Sequence, residues 1–179
     1  SSYMLLGSTK LKGGSLSDLT SNNSQYMSFE SYSSTEGQYG LKFNYTYYMD
    51  AGNGPSLDIT GSFTLEFRIK WNTAPPDGET SDIVGKWDGG DGYELWYDYT
   101  SGWLTLHGDI ARNWVVRGTG TSFSPLTLGT WYHVVFINDN GCRLLYVNGI
   151  RKSNESSNPI NPGSTSEHLW IGGIPPVHN

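Results

Sequence analysis

The longest unbroken alternation in the chain runs from Ser62 to Trp71, Ser-Phe-Thr-Leu-Glu-Phe-Arg-Ile-Lys-Trp. Phe63, Leu65, Phe67 and Ile69 fall on one side and Thr64, Glu66, Arg68 and Lys70 on the other. Apolar residues two apart would circle a helix, but in a strand they line a single face. The segment therefore reads as a strand covering a core, with Glu66, Arg68 and Lys70 in an outer row that neutralises itself against flanking strands. The same period returns at Tyr93 to Tyr99, where Tyr93, Leu95 and Tyr97 oppose Glu94, Trp96 and Asp98. It returns again at Trp103 to His107, where Leu104 and Leu106 oppose Trp103, Thr105 and His107. Shorter strands are expected at 3–6, 26–30, 82–87, 114–117, 131–138, 143–147, 150–152 and 168–171. Ser101-Gly102, Asp139-Asn140-Gly141 and Asn148-Gly149 supply the hairpin turns between them. No long stretch carries a 3.6-residue apolar repeat, so the chain is expected to be all-β, a two-sheet antiparallel β-sandwich.

At 179 residues the chain is the size of one domain and can bury a core without disulfide staples. Residues 1–35 are Ser-rich and weakly patterned, either a leading arm or the first strands of the domain, and 36–179 form the main unit. Charged residues make up only 16% and aromatics 14%, which argues against a disordered chain. With 23 Gly and 8 Pro, turns are frequent, as many short strands require.

The net charge of −6, with 11 scattered basic residues, speaks against a nucleic-acid partner or an anionic membrane surface. No apolar run is long enough for membrane insertion. The chain opens at Ser1 without a leader, as a trimmed product would. Cys142 is alone, which forbids an internal disulfide and suits a small half-buried strand residue. Sequons at Asn22, Asn44 and Asn154, on a surface rich in Ser, Thr, Asn and Gly, point to an extracellular, glycan-bearing protein.

Several blocks then resemble a known family. Leu41-Lys42-Phe43-Asn44, Tyr48-Met49-Asp50, Leu57-Asp58-Ile59 and Phe63-Thr64-Leu65-Glu66-Phe67 look like the opening of laminin-G-like, concanavalin A-like jelly-roll domains. Gly129-Thr130-Trp131-Tyr132-His133-Val134-Val135, then Leu144-Leu145-Tyr146-Val147-Asn148-Gly149, then Leu169-Trp170-Ile171-Gly172-Gly173 are similar to their later signature in order and spacing. The resemblance covers about residues 40–174; Asn44 stands where many members carry Asp. It implies a concanavalin A-like jelly roll and a choice among glycan-binding modules, adhesion domains, ligand-binding pentraxin-like proteins and some glycoside hydrolases and lyases. It also implies calcium, which such domains often carry. In this reading Trp131 caps the end of the core, His133 packs within a strand, and Gly172-Gly173 allow close passage of a neighbouring backbone.

Catalytic signals are weak. Glycoside hydrolysis needs two carboxyls about 5–10 Å apart. Glu94 and Asp98 share a face, but four strand residues separate them by roughly 13 Å. No Gly-x-Ser-x-Gly or His-Glu-x-x-His occurs, so no enzyme is expected. In the loop Lys86-Trp87-Asp88-Gly89-Gly90-Asp91-Gly92, Asp88 and Asp91 could offer oxygens to calcium. Sugars stack on aromatic rings and bond to carboxylates through their hydroxyls. Glu94, Trp96, Asp98, Trp103 and His107 on one sheet face, with Trp87 at the adjoining loop, make the expected ligand site. The expected function is a non-catalytic extracellular carbohydrate-binding or adhesion module whose partner is a glycan or cell-surface polysaccharide. The alternative is a structural subunit of a filament, sheath or virion surface, whose free leading arm pairs with other copies of itself. A diverged glycoside hydrolase or lyase ranks third.

Overall fold

Two consecutive left-handed residues turn the chain back on itself at four places in a computed structural model of the protein. They are Ser101-Gly102 (φ 53° and 85°), Asn113-Trp114 (52° and 63°), Asn140-Gly141 (50° and 86°) and Asn148-Gly149 (50° and 75°). Paired positive φ values match the twist of the strands they join, which is why Asn and Gly dominate there. The structure describes residues 2–5, 20–21, 29–31, 39–43, 48–123 and 125–173.

The strands in chain order are β1 (Ser2–Leu5), β2 (Thr20–Ser21), β3 (Phe29–Ser31), β4 (Tyr39–Phe43), β5 (Met49–Asp50), β6 (Phe63–Trp71) and β7 (Glu79–Trp87). They continue with β8 (Gly92–Thr100), β9 (Trp103–Arg112), β10 (Val115–Phe123), β11 (Trp131–Asp139), β12 (Cys142–Val147), β13 (Ile150–Glu155) and β14 (Trp170–Ile171). They form two seven-stranded sheets, ordered β13-β12-β11-β6-β1-β4-β3 and β10-β9-β8-β7-β14-β5-β2. Every pairing is antiparallel. Leu57 belongs to a 3-10 turn, Pro55–Leu57.

The period-two faces meet across the sandwich. Phe63, Phe67, Ile69 and Trp71 of β6, with Val134 and Phe136 of β11, face Tyr93, Leu95 and Tyr97 of β8 and Leu104, Leu106 and Ile110 of β9; all are buried. The contact at Gly108 is tight: a Cβ there would lie 2.6 Å from the Phe136 ring. Gly172 (φ 84°) does the same for Phe43, whose ring would lie 2.2 Å from an added Cβ. The expected close backbone approach near Gly172 is therefore an approach to an aromatic ring.

Two placements depart from expectation. Trp131 does not cap the core: it lies opposite Lys70 on the outer face of the first sheet, where the Lys70 ammonium sits 5.1 Å over its ring. His133 also faces outward, its Nε2 2.8 Å from Glu66 Oε1. At the start of the chain, residues 1–35 contribute the described strands β1, β2 and β3 to the two sheets. β1 is inserted between β4 and β6, so both of its edges are hydrogen-bonded within its own chain and offer no free strand to a neighbour. Cys142 opens β12, half-buried. Among the described residues no helix is long and apolar enough to cross a membrane. Asn154 stands exposed on β13, an edge strand, while Asn22 and Asn44 lie outside the described residues.

Candidate functional site

The outward face of β7–β10 carries the polar half of the alternating pattern. Register places Glu94 opposite Asp109, Trp96 opposite His107 and Asp98 opposite Thr105. Asp82 of β7 joins from the other side, opposite Trp96. On β10, Gly118 and Gly120 stand opposite Asp109 and His107.

Trp96 and His107 stack at 3.9 Å between centroids and 10° between planes. The Trp96 indole N–H donates to Asp109 Oδ2 at 2.8 Å, and His107 Nε2 lies 2.8 Å from Asp98 Oδ2. Trp96 is thus half-buried with one ring face covered, a positioned member of a network and not the open stacking platform that parity alone suggested. Trp103 is the open ring, 51% exposed at one end of the face.

The sequence reading missed two acids. Asp82 and Asp109 converge on Glu94, which is buried. Burial first, then the neighbouring carboxylates, pushes the Glu94 carboxyl up to about 9. Burial likewise raises Asp82 to about 7, and Glu94, the neutral partner, shares its proton with it. Burial also raises Asp109, opposed by the Trp96 hydrogen bond and by His107. Glycines make the room: a Cβ on Gly118 would lie 2.0 Å from Asp109 Oδ1, and one on Gly85 3.0 Å from Asp82 Oδ2. The available signal was the run of glycines on β10 facing an acid, which strand parity within one segment does not show. We expect Gly118→Ala to expel the Asp109 carboxylate and loosen Trp96, seen as a red shift of tryptophan fluorescence.

Trp114 is the other missed residue. It is 80% exposed, yet holds φ 63°, a conformation that costs an L-residue roughly 1–2 kcal/mol. Its ring lies over Gly90, where a Cβ would come within 2.8 Å of it. Val115 and Val116, also exposed, extend this apolar tip. Trp103 is the first residue of β9 and Trp114 follows its last by two, so the acid network of that strand lies between two exposed indoles in sequence.

The loop at 88–92 is braced from within. Asp88 Oδ1 accepts the N–H groups of Gly90 (2.8 Å) and Asp91 (2.7 Å), and its Oδ2 accepts the Thr165 hydroxyl at 2.8 Å. These hydrogen bonds outweigh burial and hold the Asp88 carboxyl below its ordinary range. Asp91 Oδ1 accepts the Asn113 N–H at 3.0 Å and lies where a Cβ on Gly163 would be. Trp87 is half-buried beside this loop, in register with Gly92. Next to it the fully buried Lys86 ammonium donates to Asn53 Oδ1 (2.9 Å), Thr165 O (2.6 Å) and Glu167 O (2.5 Å), with Asp58 Oδ1 at 3.8 Å. Both Asp88 oxygens and Asp91 Oδ1 therefore accept protein hydrogens, and a protein cation fills the adjoining oxygen cage. Among the described residues no three or more His, Cys, Asp or Glu side chains gather as metal ligands. The donor set does not fit a calcium ion held by Asp88 and Asp91.

A family model described as the concanavalin A-like lectin/glucanases superfamily (Laminin_G_3) matches residues 43–177. Comparison with curated proteins found no match. Among solved structures, domain 4 of AbnA, an extracellular GH43 arabinanase from Geobacillus stearothermophilus in complex with arabinotriose, is similar at TM-score 0.60 and 16% identity, over 83% of this chain and 67% of that one. The carbohydrate-binding module CBM66 from Bacillus subtilis aligns at TM-score 0.46 and 10% identity, over 86% and 91%. Mouse laminin α1 domains LG4-5 align at 0.44 and 19%, over 66% and 30%.

Proposed function

We propose, from the premise that the chain belongs to the concanavalin A-like lectin/glucanases superfamily, that it is a non-catalytic, extracellular carbohydrate-binding module. Its site is the outward face of β7–β10. The observation that carries this reading is the acid network of Asp82, Glu94, Asp98 and Asp109, ordered by Trp96 and His107 and lying between exposed Trp103 and Trp114. Indole faces take the C–H faces of sugar rings, and the acids bond to hydroxyls. The similarity to an arabinanase domain crystallised with arabinotriose is consistent with a glycan ligand.

Binding is favoured over hydrolysis by the engagement of the carboxyls with their neighbours: Asp109 accepts from Trp96, Asp98 is bonded to His107 and Asp82 pairs with Glu94. β1 itself is paired on both sides within the chain, so it is not the strand that an exchange between copies would use.

Trp103→Ala and Trp114→Ala should each weaken binding to the best ligand of a polysaccharide panel about tenfold, the equivalent of one lost stacking contact. Affinity electrophoresis reads the loss; unchanged retardation of both variants, or release of reducing ends by the wild type, overturns the proposal. Because Lys86 and the Asp88 hydrogen bonds brace the loop, the melting midpoint should be the same in millimolar calcium and in chelator.

A further inference from the structure

The outer face of the first sheet carries apolar side chains where strand alternation calls for polar ones. Val134, Phe136, Leu145 and Val147 point inward and are buried, so parity turns Val135, Ile137, Leu144 and Tyr146 outward. All four stay partly exposed, and none packs against the core. Register sets them in two rows that cross four strands. One row is Thr64, Ile137, Leu144 and Asn154; the other is Glu66, Val135, Tyr146 and Arg151. The four strands, β6, β11, β12 and β13, are described in full, and β13 is the edge of the sheet.

Each row is apolar in the middle and polar at its ends, and the two ends differ. Glu66, 62% exposed and bonded to His133, closes one end of its row. Arg151, exposed and without an ion pair among the described residues, closes the other. Thr64 and Asn154, both exposed, end the neighbouring row. Interstrand spacing separates the ends of a row by about 14 Å. A second copy turned about a twofold axis parallel to the strands, between β11 and β12, reverses the row. It sets Glu66 over Arg151, Thr64 over Asn154, Ile137 over Leu144 and Val135 over Tyr146, each pair made twice. An axis across the strands would instead set Glu66 over Glu66 and Arg151 over Arg151, a repulsive arrangement. Arg68, the next outward residue of β6, is already partnered and falls over the Asn148-Gly149 turn.

We propose that this face is a docking surface for a second copy of the chain, packed back to back in a symmetric dimer. The patch is roughly 20 Å on a side, about 400 Å² per copy. That is about half of a standard interface, so the dimer is a weak one, with a dissociation constant on the order of 100 μM. The inference does not rest on the glycan-binding reading, because the sugar face is on the other sheet. A glycan on Asn154 would cover the patch, so the contact needs that residue bare.

The test is sedimentation equilibrium of the whole chain, made in bacterial cells so that Asn154 is unmodified, from about 5 to about 500 μM. The wild type should pass from monomer to dimer across that range. Leu144→Asp should weaken association at least tenfold, while circular dichroism and the melting midpoint stay near those of the wild type. Glu66→Lys and Arg151→Glu should each weaken it severalfold. The double variant, which exchanges the two charges, should restore it to within about threefold; loss of the Glu66–His133 bond alone would not be rescued in this way. Cys142 reports the symmetry: the two copies place this residue roughly 11 Å apart across the contact. A short bismaleimide should therefore link wild-type copies and fail to link Leu144→Asp. Trp103→Ala, on the other sheet, should associate like the wild type. A monomer at every concentration, a double variant no tighter than the single ones, or a Leu144→Asp dimer as strong as the wild type overturns the proposal. Association lost in Trp103→Ala but kept in Leu144→Asp moves the contact to the other sheet and overturns it too.

Discussion

Lys86→Met should destabilise the protein by about 3–5 kcal/mol, the largest single-residue effect expected here. The side chain is 0% exposed, and methionine nearly matches its volume, so packing changes little. What changes is that Asn53 Oδ1, Thr165 O and Glu167 O lose their donor and Asp58 its cation. The buried Thr165 carbonyl, once without this donor, carries its desolvation cost. These oxygens belong to two loops, 51–58 and 161–169, that bring β5 and β14 into the second sheet; the ammonium is the tie between them. For a domain of this size the melting midpoint should fall by about 10 °C. A midpoint within 2 °C of wild type, measured by calorimetry, would show that the cage contributes nothing.

The second large effect is a pH dependence centred on Glu94. In the unfolded chain Glu94 ionises near 4.5 and Asp82 near 3.8; in the folded chain they are raised to about 9 and about 7. Between those limits the folded state holds more protons than the unfolded state, so stability falls as pH rises. The contribution is complete below about pH 4 and is lost progressively through pH 7 and on toward pH 9. Glu94→Gln retains a donor toward Asp82 without an ionisable proton. It should flatten this slope and, at pH 8, exceed the wild type in stability by on the order of 2 kcal/mol. Denaturation curves at pH 5 and pH 8 for both proteins decide it; parallel slopes, or a variant weaker at pH 8, refute the shared-proton account.

Strand identity and facing were legible in the sequence wherever an alternating run was long. Phe63 to Trp71 and Tyr93 to Tyr99 each oppose an apolar and a polar row, and burial follows parity because a strand has only two sides, with buried Glu94 the exception. Hairpins at Ser101-Gly102, Asn140-Gly141 and Asn148-Gly149 were equally readable, since left-handed φ selects those residues. Trp114 was not: it occupies a turn position where chemistry favours glycine, so it looked like the start of a strand.

The sequence by itself determined the two-layer architecture and put Glu94, Trp96, Asp98, Trp103 and His107 on one face, because alternation is a property of neighbours along the chain. Only the tertiary structure decided that Asp82 and Asp109 join Glu94, that Trp96 is covered by His107, and that Lys86 ties distant loops. Those outcomes depend on inter-strand register and on loops over 75 residues away in sequence, and electrostatic coupling acts through space, where chain order carries no information.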